Sequence, residues 1–280
     1  MGMSYIFFGG VLIMKKVLTI AGSDSCGGAG VQADLKTMSA IGVYGMSVIT
    51  AVTAQNTMGV FDVLEIDKKM VEKQIQCIFE DIEVDAVKIG MVSNAEIINT
   101  IGECLIQYKA KNIVIDPVMV SKSGYFLLKK EAISEMKNLI SIADVVTPNI
   151  PEAEVLAGIK ITCEDDMKKS AEIIAKLGAK GVLIKGGHRC NDANDISYNG
   201  KEFITLEGER INTKNTHGTG CTLSSAIASY LAKEFSMEES LKLSKQYINE
   251  AIKNSFSIGK GVGPVGHFID LYKKGGIKYE

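Results

Sequence analysis

Ile113-Val114-Ile115-Asp116-Pro117-Val118 sets three β-branched apolar residues directly before an acid and a proline. A run without polar alternation predicts a strand buried on both faces, which belongs in a parallel sheet covered by helices on either side. Proline cannot donate to a sheet ladder, so Asp116 should stand at the carboxyl edge of that strand. Val182-Leu183-Ile184-Lys185-Gly186-Gly187 repeats the pattern further along the chain.

Working outward, helical and strand patterns alternate. Helix 68–82 leads to strand 84–91, helix 94–109 to strand 113–118, helix 129–141 to strand 144–147, and helix 164–177 to strand 181–185. Upstream, Val17-Leu18-Thr19-Ile20 reads as a first strand, followed by a Gly-rich loop and a helix through Val31, Leu35 and Met38. Residues 43–56 and 60–64 are β-rich and meet at the turn Asn56-Thr57-Met58-Gly59. Residues 194–206 suggest a short antiparallel excursion, and the final helix covers about 238–255. The expected fold is α/β with a mostly parallel central sheet. With no linker, repeat or composition shift, residues 14–280 read as a single domain.

A net charge of −2 from 31 basic and 33 acidic residues offers neither a nucleic-acid groove nor a basic membrane-binding face, so the expected partner is a small molecule. The six cysteines, at 26, 77, 104, 163, 190 and 221, show no C-x-x-C spacing, which argues for a reducing cytoplasm rather than a disulfide or zinc framework. Residues 1–13 are apolar, carry no lysine or arginine and are too short to span a bilayer. They read as an extension outside the fold, with Met14 a candidate start of translation.

In a parallel sheet, ligands bind outside the carboxyl ends of the strands. Gly22-Ser23-Asp24, Gly90-Met91, Asp116-Pro117-Val118, Thr147 to Glu152 and Lys185 to His188 all follow predicted strands and should share that rim. Asp116, Asn149 and Glu152 are hard oxygen donors suited to Mg2+, although Asn-x-x-Glu is also a helix capping pattern. Lys185 could reach a nucleotide phosphate, and His188 could bond its own loop. Met46, Met91 and Met119 read as core or wall residues.

Asn215-Thr216-His217-Gly218-Thr219-Gly220-Cys221-Thr222 feeds a two-glycine turn into an amphipathic helix marked by Leu223, Ala226, Ile227, Tyr230 and Leu231. Unpaired N–H groups and the positive end of the dipole make such a turn an anion site. Cys221 sits in the first turn, where the same field should lower its pKa from about 8.5 and make it a candidate base. His217 reads as a structural cap for the Gly218 turn. No Walker A, protein-kinase or G-x-S-x-G signature occurs, and the first Gly-rich loop lacks the G-x-G-x-x-G order of a dinucleotide site.

Taken together, these motifs resemble those of the hydroxymethylpyrimidine/phosphomethylpyrimidine kinases of thiamine biosynthesis, in the ribokinase-like superfamily. The likeness spans about residues 15–270 and rests on Ala21 to Asp24, Gly27 to Thr37, Gly45 to Thr57, Asp116 to Gly124, Thr147 to Glu154, Asn215 to Thr222 and Gly259 to Val265. It implies a three-layer αβα sandwich with a small β lid. It further implies ATP and Mg2+, phosphorylation of a pyrimidine alcohol and then of its monophosphate, and a homodimer.

Residue by residue, the resemblance places Asp34, Gln55 and Met91 around the pyrimidine, with Thr53 and Val118 in contact. Gly218, Thr219 and Gly220 match the anion hole, and Cys221 takes the position of the superfamily's catalytic aspartate. Asn149 and Glu152, with Asp116 nearby, match the magnesium and phosphate motif. Lys185, Thr216, Asn149 and Lys260 fall on the nucleotide side. Ser25 and Cys26 depart from the proline and serine often found there. Ser121 stands at or near a lid position where kinases acting on pyridoxal, the alternative activity, carry cysteine.

Overall fold

The computed structural model describes residues 7–8, 11–12, 14–120, 127–187 and 193–276. The first half runs β1 (Phe7–Phe8), β2 (Val11–Leu12), β3 (Lys16–Asp24), α1 (Gly30–Ile41), β4 (Tyr44–Asn56), β5 (Gly59–Glu65), α2 (Lys68–Phe79), β6 (Ala86–Ile89), α3 (Ala95–Gln107) and β7 (Ile113–Ile115). The second runs α4 (Ile133–Ile140), β8 (Val145–Val146), α5 (Ile150–Ala157), α6 (Glu164–Ala175), β9 (Gly181–Ile184), β10 (Asp195–Tyr198), β11 (Phe203–Leu206), α7 (Thr219–Ala232), α8 (Met237–Lys253) and α9 (Ile269–Lys274).

Among the described residues, nine strands form one sheet in the order β11-β10-β9-β8-β7-β6-β3-β4-β5. The run from β9 to β4 is parallel, while β5 at one edge and β10 and β11 at the other are antiparallel. Strand alternation assigns the two faces. Leu18, Ile20, Val87, Ile89 and Ile115 pack with Ile75 of α2, Ile101 of α3, Met136 of α4 and Ile174 of α6. Val17, Ala86, Val114 and Leu183 face the other way, onto Met38 of α1, Ile227 of α7 and Ile248 of α8. The result is the expected three-layer αβα sandwich.

β4 and β5 form a long ribbon with a register shift at Ala54/Gln55, an irregularity that re-aims side chains at a ribbon's end. Its tip, Gln55 to Val60, hangs over the cavity described below and is the small β lid. Among the described residues, β1 and β2 pair with each other and do not join the nine-stranded sheet.

Some boundaries differ from the sequence reading. The segment after β8 opens helix α5 rather than a loop, because Pro151 suits the first helical turn, where no N–H is needed, and Asn149 and Glu152 cap it. Residues 130–132 form a 3-10 turn, so α4 starts later than expected. α9 is an additional short helix. Ser121 and His188 lie outside the described residues.

Candidate active site

The loops after β3, β6, β7, β8 and β9 meet the lid tip and the start of α7 around one cavity. Thr53, Gln55, Met91 and Val118 line its lid side, and Asp116, Asn149, Glu152 and Lys185 its other end. Gly218, Thr219, Gly220 and Cys221 face both groups.

Lys185 Nζ donates to Asp116 Oδ1 at 2.7 Å, across a side chain that keeps 16% of its surface and is therefore reachable from the cavity. Burial pulls the Lys185 pKa down, but Asp116 and Glu152 outweigh it and hold it above the usual lysine value. Asn149 and Glu152 form a reciprocal capping box at α5: Glu152 N donates to Asn149 Oδ1 at 2.9 Å, and Asn149 N to Glu152 Oε2 at 2.8 Å. The cap commits the Asn149 oxygen, so Asn149 serves chiefly to orient Glu152. Burial, with Asp116 adding to it against Lys185, pushes the Glu152 carboxyl up to about 7. Two buried acidic side chains this close together suit a hard divalent cation, which would offset their charge.

Gly218 is the N-cap of α7 in the left-handed region, φ 78°, with no side chain satisfying the first N–H groups. Thr219 Oγ1 turns back to Thr216 O at 2.8 Å. A Cβ built on Gly220 would sit 3.2 Å from Asp116 Oδ2 and 3.5 Å from Lys185 Nζ, so the glycine turn at the start of α7 abuts the Lys185–Asp116 pair. A Cβ on Gly218 would come within 1.8 Å of Gly28 O, which only glycine avoids.

Cys221 lies in the first turn of α7, as expected, but its thiol is not acidified. Burial pushes it up to about 11; the Lys88 ammonium and the Gly30 backbone bond pull it down, while Asp34 and Asp116 push it further up. Desolvation outweighs the helix field here.

Three expected site residues lie elsewhere. Asp34 does not line the cavity. Its carboxylate has no exposed surface, accepts from Thr19 Oγ1 and Ser225 Oγ at 2.6 Å each, and pairs with Lys88. It is held beneath the site because Asp34 faces inward from α1. Lys260 is exposed in the loop before Val262 and lines no part of the cavity, and Thr216 contributes its carbonyl to the Gly218 turn rather than a cavity wall.

His217 also differs from its reading as a local cap. Its ring Nε2 lies 2.8 Å from Asp24 Oδ2 and 3.3 Å from Gln55 Nε2, and the ring lies in the cavity wall. Asp24 further accepts from the N–H groups of Cys26, Gly28 and Ala29 at 2.8–3.0 Å. Burial would raise the Asp24 pKa, but His217 and these N–H groups hold it below the usual carboxylate range. His217 thus welds the first Gly-rich loop to the anion turn. Lys88 escaped the sequence reading; the signal was a lone lysine inside the apolar strand Ala86-Val87-Lys88-Ile89.

A family model described as phosphomethylpyrimidine kinase matches residues 24–266. The hydroxymethylpyrimidine/phosphomethylpyrimidine kinase of Haemophilus influenzae is 45% identical over 262 residues, 91% of this chain and 97% of the relative. A crystal structure of a phosphomethylpyrimidine kinase from Clostridium difficile superposes with a TM-score of 0.77 at 56% identity, covering 85% of this chain and all of that one (100%). An ADP complex of Bacillus subtilis pyridoxal kinase superposes with a TM-score of 0.85 at 41% identity, over 91% of this chain and 97% of that one. On the fold, the ordered rim motifs and these matches, the chain belongs to the phosphomethylpyrimidine kinase family.

Proposed function

We propose that the protein is an ATP-dependent kinase acting on the hydroxymethyl group of 4-amino-5-hydroxymethyl-2-methylpyrimidine, and then on the resulting monophosphate to give the diphosphate, in thiamine biosynthesis. The observation that carries this reading is the convergence of an open helix N-terminus, Cys221 and the Lys185–Asp116–Glu152 group on one cavity.

Gln55 presents an amide, able to donate and accept at once, to the edge of an aminopyrimidine, while Met91 and Val118 supply apolar walls. The N–H groups following Gly218 face the transferring phosphoryl group, where negative charge spreads in the transition state. Lys185 places an ammonium at the same point. Asp116 and Glu152 are the residues to hold magnesium, which when bound would offset phosphate charge. The thiolate form of Cys221 takes the alcohol proton. Because the thiol titrates near 11, only a small fraction is thiolate at neutral pH, and the reaction should carry that pH signature.

The wider setting follows the same reading. Exposed Val52, Phe61 and Leu64 on β4 and β5 support pairing of two copies as a homodimer. Among the described residues no helix is long and apolar enough to cross a membrane, and Cys26, Cys77, Cys104, Cys163 and Cys221 are unpaired thiols, which supports a cytoplasmic setting. The test is a product assay on the purified chain with MgATP and, in parallel, the pyrimidine alcohol, its monophosphate and pyridoxal. Diphosphate formation from the monophosphate is the expected result. Turnover of pyridoxal alone would replace this reading with that of a pyridoxal kinase, the activity named for the Bacillus subtilis structure.

A further inference from the structure

Asp24, Cys26 and His217 each offer one donor atom, and the three atoms lie within 4.8 Å of one another, with Asp24 and His217 in the cavity wall. We propose that this trio is a zinc site, and that zinc held there blocks the kinase. The ligand set decides the metal. A thiolate and an imidazole are poor partners for magnesium, which prefers hard oxygen, but suit zinc, and one carboxylate completes three protein ligands with a fourth position open to water.

The scaffold is already built for it. Asp24 is fixed by three backbone N–H groups, so it would be presented to the metal without further ordering. The His217 ring is held by its close approach to Gly28, where a Cβ would meet ring Cδ2 at 2.3 Å. Donor atoms around tetrahedral zinc are separated by roughly 3.3–3.7 Å. The His217–Asp24 contact of 2.8 Å would therefore open slightly and Cys26, which is half-buried on the same loop, would close inward. On binding, Cys26 loses its thiol proton to solvent, and His217 binds as the neutral imidazole, with its proton on Nδ1 and its Nε2 lone pair on the metal.

Inhibition follows from position. His217 and Asp24 line the cavity, and Gln55 Nε2 stands 3.3 Å from the ring nitrogen that zinc would claim. Zinc would take the His217 lone pair and draw Cys26 inward beside Gln55, the residue proposed to read the substrate. Binding itself does not depend on what the substrate is.

The experiment is titration of zinc chloride into the full chain in excess magnesium, read by competition with a chromogenic chelator, for wild type, Cys26→Ser, Cys26→Ala and Cys221→Ala. One zinc per chain should bind wild type and Cys221→Ala alike, and both Cys26 variants should bind at least tenfold more weakly. Cobalt in place of zinc should show a thiolate charge-transfer band that both Cys26 variants lack. Zinc should inhibit wild-type turnover at concentrations that leave Cys26→Ser active. No stoichiometric binding by wild type, loss of binding in Cys221→Ala, or a change below tenfold in a folded Cys26 variant overturns the proposal.

Discussion

The Lys88 ammonium lies 2.8 Å from Asp34 Oδ2 and 3.0 Å from Oδ1, and neither side chain has exposed surface. Lys88 stands on β6 facing α1 and α7, and Ser225, one turn beyond Cys221 on α7, donates to the same carboxylate. The buried charges are therefore compensated by each other. Lys88→Met should destabilise the fold by about 3–5 kcal/mol, because it strands a buried carboxylate, whereas Lys88→Met with Asp34→Leu should cost much less than the two single changes together. Denaturant unfolding of the four-member cycle measures this. Additive losses would show that the pair is not coupled.

Cys221→Ala should lower kcat by roughly 10²–10⁴-fold with nucleotide affinity retained. Wild-type kcat should climb with pH toward about 11 as the thiolate fills, and the alanine variant should lose that slope. Cys221→Asp should retain more activity than Cys221→Ser, because a carboxylate is already ionised at neutral pH and a hydroxyl is not. Full turnover in the alanine variant across pH 6–9 would instead assign the proton to the phosphoryl group.

Gln55→Leu should raise KM for both pyrimidine substrates by roughly 5- to 30-fold, since an amide that pairs with a ring edge contributes about 1–2 kcal/mol. The ATP affinity should be unchanged by calorimetry. Wild-type kinetics with both pyrimidines would take Gln55 out of the recognition site.

His267 is buried against Thr222 Oγ1, and burial together with Lys36 lowers its pKa from 6.5 to about 4. Between these values the unfolded chain binds a proton that the folded chain does not. Stability from this residue is thus present above pH 6.5 and is lost as pH falls toward 4, by on the order of 3 kcal/mol. His267→Gln should flatten that acid limb in thermal melts from pH 4 to 7. An unaltered limb would mean that another group governs acid unfolding.

Removing residues 1–13 should leave activity and melting temperature nearly unchanged, because β1 and β2 do not join the main sheet. Loss of soluble protein on truncation would show instead that the segment packs onto the domain.

What could be read in advance divides along the range of the forces involved. Ile113 to Ile115 announced a strand buried on both faces because its neighbours in sequence carry that information. Asp116, Glu152 and Lys185 were legible as rim residues because they follow strands directly. Lys88 was not, since its partner Asp34 is 54 residues away and nothing local marks the pair. Cys221 was placed correctly on its helix, yet the rise of its thiol pKa comes from desolvation by groups on other elements, which a helix-terminus argument omits. The prolines near Asn149 fit both a turn and a first helical turn, and only packing chose between them.

The contact between Gly218 and Gly28 has a consequence for how the protein is made. The Asp24 loop leaves the ribosome early, while the Gly218 turn that completes the cavity edge follows about 190 residues later, with Val262 N then donating to Thr57 O at 2.9 Å. Closing such distant pairs is the slow part of forming a chain of this topology. The α7 start therefore arrives late in synthesis, so a nascent chain cut short before residue 218 carries all nine strands of the main sheet but lacks this wall of the cavity.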